Sequence, residues 1–275
     1  MSTPNSQIEI MYGKQPKKWI INLIFVVAIV AALVFTFVGS SINWTRLANL
    51  SYTLGDMFNR IVRIDWNLFF GTGIYDFDQS IVYLVIQTFA IGFIGTFMGA
   101  ILAIPFGFLA AENVVGKKMA KISEVILLII RVFPEIILGI IIVKGFGMNA
   151  LSGILTIGLH SIGMLGKLFS EAIDNMDKSP LEALDSVGAN TWQKIRYGVI
   201  PNILPDLSSI TLYRLDINVR SASILGLVSA GGIGSLLTIA STMWSWELLG
   251  TILIAIILMV MFVDFVSSRL RRKLV

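Results

Sequence analysis

The sequence predicts an all-α integral membrane protein with six transmembrane helices and one cytoplasmic helical hairpin. Of its 275 residues, 56% are hydrophobic and 14% charged, whereas soluble globular domains carry about 25% charged residues. The apolar residues fall in uninterrupted blocks of about 20, the length that crosses a bilayer as a helix. One polar island, Ser179–Pro205 (SPLEALDSVGANTWQKIRYGVIPNILP), interrupts the series.

Residues 1–18 are a polar N-terminal tail ending in Lys14, Lys17 and Lys18. The apolar block 19–40 has the charged start of a signal peptide but exceeds the usual apolar core of about 7–15 residues. It reads as a retained first span. Residues 41–79 form an extracytoplasmic connector. Within it Leu47, Leu50, Leu54, Met57, Phe58 and Ile61 recur at helical spacing between Trp44 and Trp66. That pattern suits a helix lying in the membrane interface. A surface-packed connector is the preferred reading over a lid.

The remaining five segments make up a core at 80–268, followed by a basic tail at 269–275. Ile81–Ala110 carries Gly92, Gly95 and Gly99, which permit close helix packing in lipid. The third span, Ile122–Val143, contains Arg131-Val132-Phe133-Pro134-Glu135, and the fourth, Ala150–Phe169, carries His160. The loop 171–200 precedes a polar fifth segment, Asn202–Val228. An Ala230–Gly234 break (AGGIG) and a loop with Trp244 and Trp246 lead to the last span, Leu248–Val266.

The island has the grammar of two short helices. Ser179 suits an N-cap, Pro180 the first helical position, and Glu182 the third position of a capping box. Gly188 suits a left-handed helix end. Thr191 suits the cap of a second helix running to about Val199, which Pro201 discourages from continuing.

Six spans put both termini and the island on one side. Assigning that side to the cytoplasm collects Lys14, Lys17, Lys18, Lys117, Lys118, Lys121, Lys167, Lys178, Lys194, Arg196, Arg269, Arg271, Arg272 and Lys273. Arg46, Arg60, Arg63 and Lys144 fall outside, so the positive-inside rule favours this orientation. The same distribution accounts for the net charge of +4 through the lipid bilayer, without nucleic acid.

No cysteine is present, which excludes disulfide and thiolate chemistry, and the single histidine excludes a multi-histidine metal site. No GK[ST] follows the AGGIG run, so it is not a phosphate-binding P-loop. No nucleophile–base or metal constellation is visible, and the chain is read as non-catalytic.

Charges at bilayer depth cost about 2.5–3.5 kcal/mol each unless they face protein or water. In the fifth segment Asp206, Ser209, Tyr213, Asp216 and Arg220 share one helical stripe, and Arg214, Asn218 and Ser221 an adjacent one. A helix polar on two faces lines a path or a subunit contact. Tyr213, Arg214, Asn218, Arg220 and Ser221 are therefore the candidates for a translocation path, their guanidinium groups suiting an oxyanion. Asp216 with Arg220, and Arg131 with Glu135, stand at i and i+4 and are candidates for structural ion pairs. Arg214 has no acid at such spacing, which makes it the better path residue. His160 reads as a packing residue, since one such group makes no proton relay.

Glu182-Ala183-Leu184, then Gly188, then Ile200-Pro201 resemble the EAA loop of ABC importer permeases. Leu184 stands where the family has alanine, Gly198 where it has isoleucine, and Ile200 where it has leucine. RYGVIPNILP and the run Leu212–Gly234, with RVFPE at Arg131–Glu135, look like the phosphonate-type members. The likeness covers roughly residues 80–270. It implies a type I importer permease fold in a bacterial plasma (inner) membrane. The permease works as a homodimer with two cytoplasmic ATPase subunits and an extracytoplasmic solute-binding protein. ATP and Mg are then bound by the partner ATPase, and this chain holds no cofactor or metal. Glu182, Ala183, Gly188, Ala189, Trp192 and Pro201 would couple to the ATPase. The implied solute is phosphonate, phosphate or phosphite. A permease for another solute such as methionine, and an ion-coupled secondary transporter, are the alternatives.

Overall fold

The computed structural model describes residues 18–39, 49–73 and 76–274, all helix or connecting turn. Residues 1–17, and Trp44, Arg46 and Leu47 of the connector, lie outside the described residues. The chain divides into two compact units, Met1–Asp56 and Met57–Val275.

The first unit contains α1 (Lys18–Gly39), whose apolar stretch is long enough to cross a membrane. Helix α2 (Leu50–Ile61) begins there and ends in the second unit.

In the second unit, the later half of the connector is fastened to the bundle. Asp65 caps α3 (Trp66–Phe70) by accepting from the Asn67 and Leu68 amides at 3.0 and 3.1 Å. The Asp65 amide donates to Thr251 Oγ1 at 3.2 Å. A methyl group at Gly250 would overlap the Ile61 carbonyl, so the glycine is what lets the two segments touch.

The centre is the crossing of α4 (Ile81–Ala110) with α8 (Ala150–Asp174). A Cβ at Gly99 would stand 2.7 Å from the Gly158 carbonyl oxygen, and one at Gly107 2.8 Å from Phe169 Cβ. In lipid no hydrophobic force draws helices together, so such close backbone approach supplies the packing energy instead. After the short α5 (Glu112–Val115), α6 (Lys117–Val132) crosses α8 at Gly163.

The predicted third span is two helices. At Phe133-Pro134 the chain breaks by 81° before α7 (Glu135–Phe146). Proline lacks an N–H and keeps its predecessor extended, and Phe133 sits at φ −68°, ψ 123°. The break also corrects the expected Arg131–Glu135 pair. The two residues stand on separate helices and form no ion pair with each other.

Helix α11 (Ile200–Leu225) packs on α4 and, through Leu215 and Val219, on Met259 and Val263 of α13 (Trp246–Leu274). Helix α13 runs on through Leu274, so the expected basic tail is a helix end. Between these two lies α12 (Gly234–Thr242), which was expected to be loop. Trp19–Gly39, α4, α8 and α13 are long and apolar enough to cross a membrane, with a fifth span if α6 and α7 count as one. Helix α11 has the length, but Asp206, Arg214, Asp216 and Arg220 take it out of that class.

Candidate functional site

The polar island folds as a hairpin. Its first arm is α9 (Ser179–Ser186), and its second starts at α10 (Thr191–Gln193). Gly188 turns between them at φ +73°. The expected capping box at Ser179 and Glu182 is not formed. Ser179 lies inside the helix, and both its amide and its hydroxyl donate to Asp177 Oδ1, at 3.0 and 2.8 Å. That leaves the Glu182 side chain exposed, with no hydrogen bond among the described residues. The second arm does carry a capping box, one residue before the expected Thr191. The Gln193 amide donates to Asn190 Oδ1 at 2.9 Å, and the Asn190 amide to Gln193 Oε1 at 2.8 Å.

Hydrogen bonds from the Ser179 amide and hydroxyl hold the Asp177 carboxyl below its ordinary value. A carboxyl with a depressed folded-state pKa stabilises the hairpin above its unfolded pKa of about 3.9, and that help is lost as pH falls through the folded value. Hydrogen exchange at the Ser179–Glu182 amides should therefore be insensitive to this group from about pH 8 to 5 and lose protection below about pH 4. Asp177→Ala should lower the protection at neutral pH.

The arms are tied by an ion pair between Lys194 Nζ and Asp185 Oδ1. Leu181 and Leu184 press on Gly198, where a Cβ would come within 2.9 and 3.0 Å of their methyl groups. Leu184 on one arm thus packs over Gly198 on the other, where a larger residue would not fit. The outer surface presents Trp192 and Val187, 80% and 78% exposed, beside Glu182 and Ala183. Ala189 is half-buried at the turn and Pro201 is exposed.

Pro201 does not end the second arm. The arm opens into a π-helical turn, Lys194–Val199, and continues into α11 with Pro201 in its first turn. An apolar cluster beneath it joins Val199 and Ile203 to Ala111 and Ile173, with Leu181 packed against them. The hairpin is thereby packed directly onto α11 and the ends of α4 and α8.

Farther along α11 is a buried polar core. Asn218 is fully buried and donates to Thr96 Oγ1 of α4 and Ser161 Oγ of α8, both at 2.8 Å. In this structure it ties three helices together, a role its place on the polar stripe did not announce. Arg214 is also interior, 4% exposed. Its guanidinium reaches Ser161 Oγ at 3.5 Å, Met164 Sδ at 2.9 Å and His160 Nδ1 at 2.9 Å, with no carboxylate in ion-pair range among the described residues. With Nδ1 accepting that proton, His160 is more than packing: it holds Arg214 in place.

The accessible polar groups are Ser221, farther along the stripe of Arg214 and Asn218, and Tyr213 and Arg220 on the neighbouring stripe. Ser221 Oγ donates to Glu135 Oε2 at 3.1 Å, and the two border a cleft of about 250 Å³ with Pro134 and Ile224. Arg220 Nη2 pairs with Asp216 Oδ2, leaving most of the guanidinium exposed. Tyr213 is half-exposed, with the Arg271 guanidinium 5.8 Å from its ring centre. Thr96, Ser161 and Met164 went unnoticed in the sequence, and His160 was read only as packing, because nothing in the spacing along α4 or α8 shows what α11 brings to them.

In the AGGIG run the Gly232 and Ile233 amides donate to Gln87 Oε1 and Thr88 Oγ1 of α4 at 3.0 and 2.8 Å, which fastens the break to that helix. No cluster of three or more metal-ligating side chains occurs among the described residues.

Residues 103–275 match the family described as binding-protein-dependent transport system inner membrane component. The chain is 36% identical over 195 residues to the phosphite transport system permease protein PtxC of Stutzerimonas stutzeri, covering 70% of this chain and 71% of that one. It is 36% identical over 190 residues to the phosphate-import permease protein PhnE of Mycolicibacterium smegmatis, 69% of this chain and 36% of that one. In fold it is similar to an inward-facing MetNI methionine ABC transporter, with TM-score 0.64, 22% identity, 71% of this chain and 96% of that chain.

Proposed function

The chain belongs to the family of binding-protein-dependent transport system inner membrane components, and we propose that it is the permease of an ATP-driven importer for a phosphorus oxyanion such as phosphite, phosphonate or phosphate. The observation that carries this reading is the family match across the hairpin and the polar α11, together with relatives named for phosphite and phosphate. The fold likeness to a methionine transporter does not bear on the solute.

In this reading the chain crosses the inner membrane six times, α11 included, with both termini in the cytoplasm. Two copies enclose the path. A cytoplasmic ATPase binds ATP and Mg and grips the hairpin through Trp192, Glu182 and Ala183, with Gly188, Ala189 and Pro201 setting its shape. An extracytoplasmic binding protein delivers the solute. Closure of the ATPases moves the second arm, and the arm moves α11 as one rod. Arg220, Ser221 and Tyr213 face the solute, while Arg214 adds positive potential from inside the wall. A charge in such a low-dielectric setting is felt farther than in water.

The test is uptake of labelled phosphite by proteoliposomes holding the permease, ATPase and binding protein. ATP-dependent phosphite uptake, undiminished by excess methionine, is expected. Uptake of methionine in place of phosphite would overturn the solute, and uptake without ATP would point to a secondary transporter.

A further inference from the structure

A second set of cations lies away from α11, in a cleft of about 200 Å³ between α6 and α8. Its walls carry Lys121, Glu124, Leu127, Arg131 and Lys167, and Gly163 forms part of its floor. A side chain at Gly163 would meet the Arg131 amide and Leu127 carbonyl at 2.8 and 2.9 Å, so the two helices touch there and leave the cleft open above.

Three cations and one carboxylate line the cleft, and a second carboxylate, Glu171, stands just outside it. Glu124 is shared, with Lys167 Nζ at 2.6 Å and Lys121 Nζ at 3.6 Å. Lys167 also reaches Glu171 at 3.5 Å. Arg131 has neither a hydrogen bond nor an ion pair among the described residues. Its guanidinium is exposed at the last turn of α6, just before the Pro134 break. An unpaired arginine within a span is costly unless it meets water or a ligand. Arg131 stands ten residues beyond Lys121, about 15 Å along the helix. With Lys121 at the cytoplasmic surface, that depth is too great for a lipid headgroup and suits an anion moving along a wet path.

We propose that Lys121, Lys167 and Arg131 form an anion site, the cytoplasmic release station for the transported phosphorus oxyanion. The proposal rests on the importer reading above. Arg131 supplies the bidentate fork for a tetrahedral oxyanion. Lys167 is half-committed to Glu124, which keeps the site from becoming a trap. Lys121 marks the exit.

The cleft is tested without the ATPase. The full chain in nanodiscs of zwitterionic phosphatidylcholine is titrated calorimetrically with inorganic phosphate and with methylphosphonate. Saturable binding is expected. Arg131→Gln should weaken it by about tenfold or more, the least that losing a charge-assisted hydrogen bond costs. Lys144→Gln should leave it unchanged. Arg131 has no internal partner, so an unaltered melting temperature without anion verifies the fold of the variant. No saturable binding, or binding that Arg131→Gln does not weaken, overturns the site. So does retention of anionic phosphatidylglycerol in mixed discs while free phosphate fails to bind, since the occupant would then be a lipid. Phosphite uptake that survives Arg131→Gln with unchanged rate and affinity removes this site alone. A failure to transport any phosphorus oxyanion instead removes the importer reading.

Discussion

Gly188→Val is expected to cut ATP-driven uptake about 5- to 30-fold while leaving the membrane bundle folded. Gly188 holds φ +73°, and nothing lies within 4 Å of where its Cβ would be. The cost is therefore backbone strain alone, about 1–2 kcal/mol for an L-residue in the left-handed region, which shifts the population of the turn by about 5–30-fold. The strain falls at the tip of the hairpin, remote from the α4–α8 crossing, so the melting temperature should hardly move. Asparagine tolerates this conformation better than other side chains. Uptake should accordingly rank Gly188, then Asn, then Ala, then Val. A steric role would instead rank the variants by volume, with alanine ahead of asparagine.

Gly99→Leu is expected to remove the folded protein. Its Cβ would stand 2.7 Å from the Gly158 carbonyl oxygen and 2.8 Å from Ser161 Cβ. Neither is the movable end of a long side chain, so α4 and α8 must separate. Overpacking of this kind costs about 3 kcal/mol, and here it would also part Ser161 and Thr96 from Asn218. The yield of monodisperse protein and its melting temperature should both collapse. Gly145→Leu in α7 is the matched control, because nothing lies within 4 Å of that position.

Legibility in the sequence followed the range of the physics involved. Apolar block length and turn chemistry are local, so the four long apolar helices, the hairpin and the turn at Gly188 could be placed, whereas the break within the third span could not. The capping assignments were each off by a neighbour. Asp177 competed for Ser179, and Asn190 for Gln193, and both rivals lie within three residues of the expected cap. Pro201 was expected to end a helix. It stands in the first turn of α11, where a missing N–H costs little, and a π-helical turn absorbs the misfit before it. The polar core was half visible. Arg214 was legible as a residue without an acid three or four positions away on its own helix, but its partners His160, Ser161 and Met164 come from α8 and depend on tertiary packing. Asn218 was placed on a polar stripe by helical periodicity, which reports direction around an axis and not that Thr96 and Ser161 lie in that direction. Arg131 and Glu135 had the spacing of a pair, and the break at Pro134 undid it.

The most direct test of the account is the amount of phosphite taken up per ATP hydrolysed, measured for the reconstituted importer with Glu182 intact and with Glu182→Lys. The Glu182 side chain is exposed on the hairpin and makes no hydrogen bond or ion pair among the described residues, so reversing its charge is expected to leave the permease folded and to alter the proposed docking surface. A like-charge contact at an interface costs several kcal/mol. The account predicts that phosphite carried per ATP falls by about tenfold or more, with the melting temperature of the permease unchanged. Full uptake and an unchanged ratio in Glu182→Lys would contradict it.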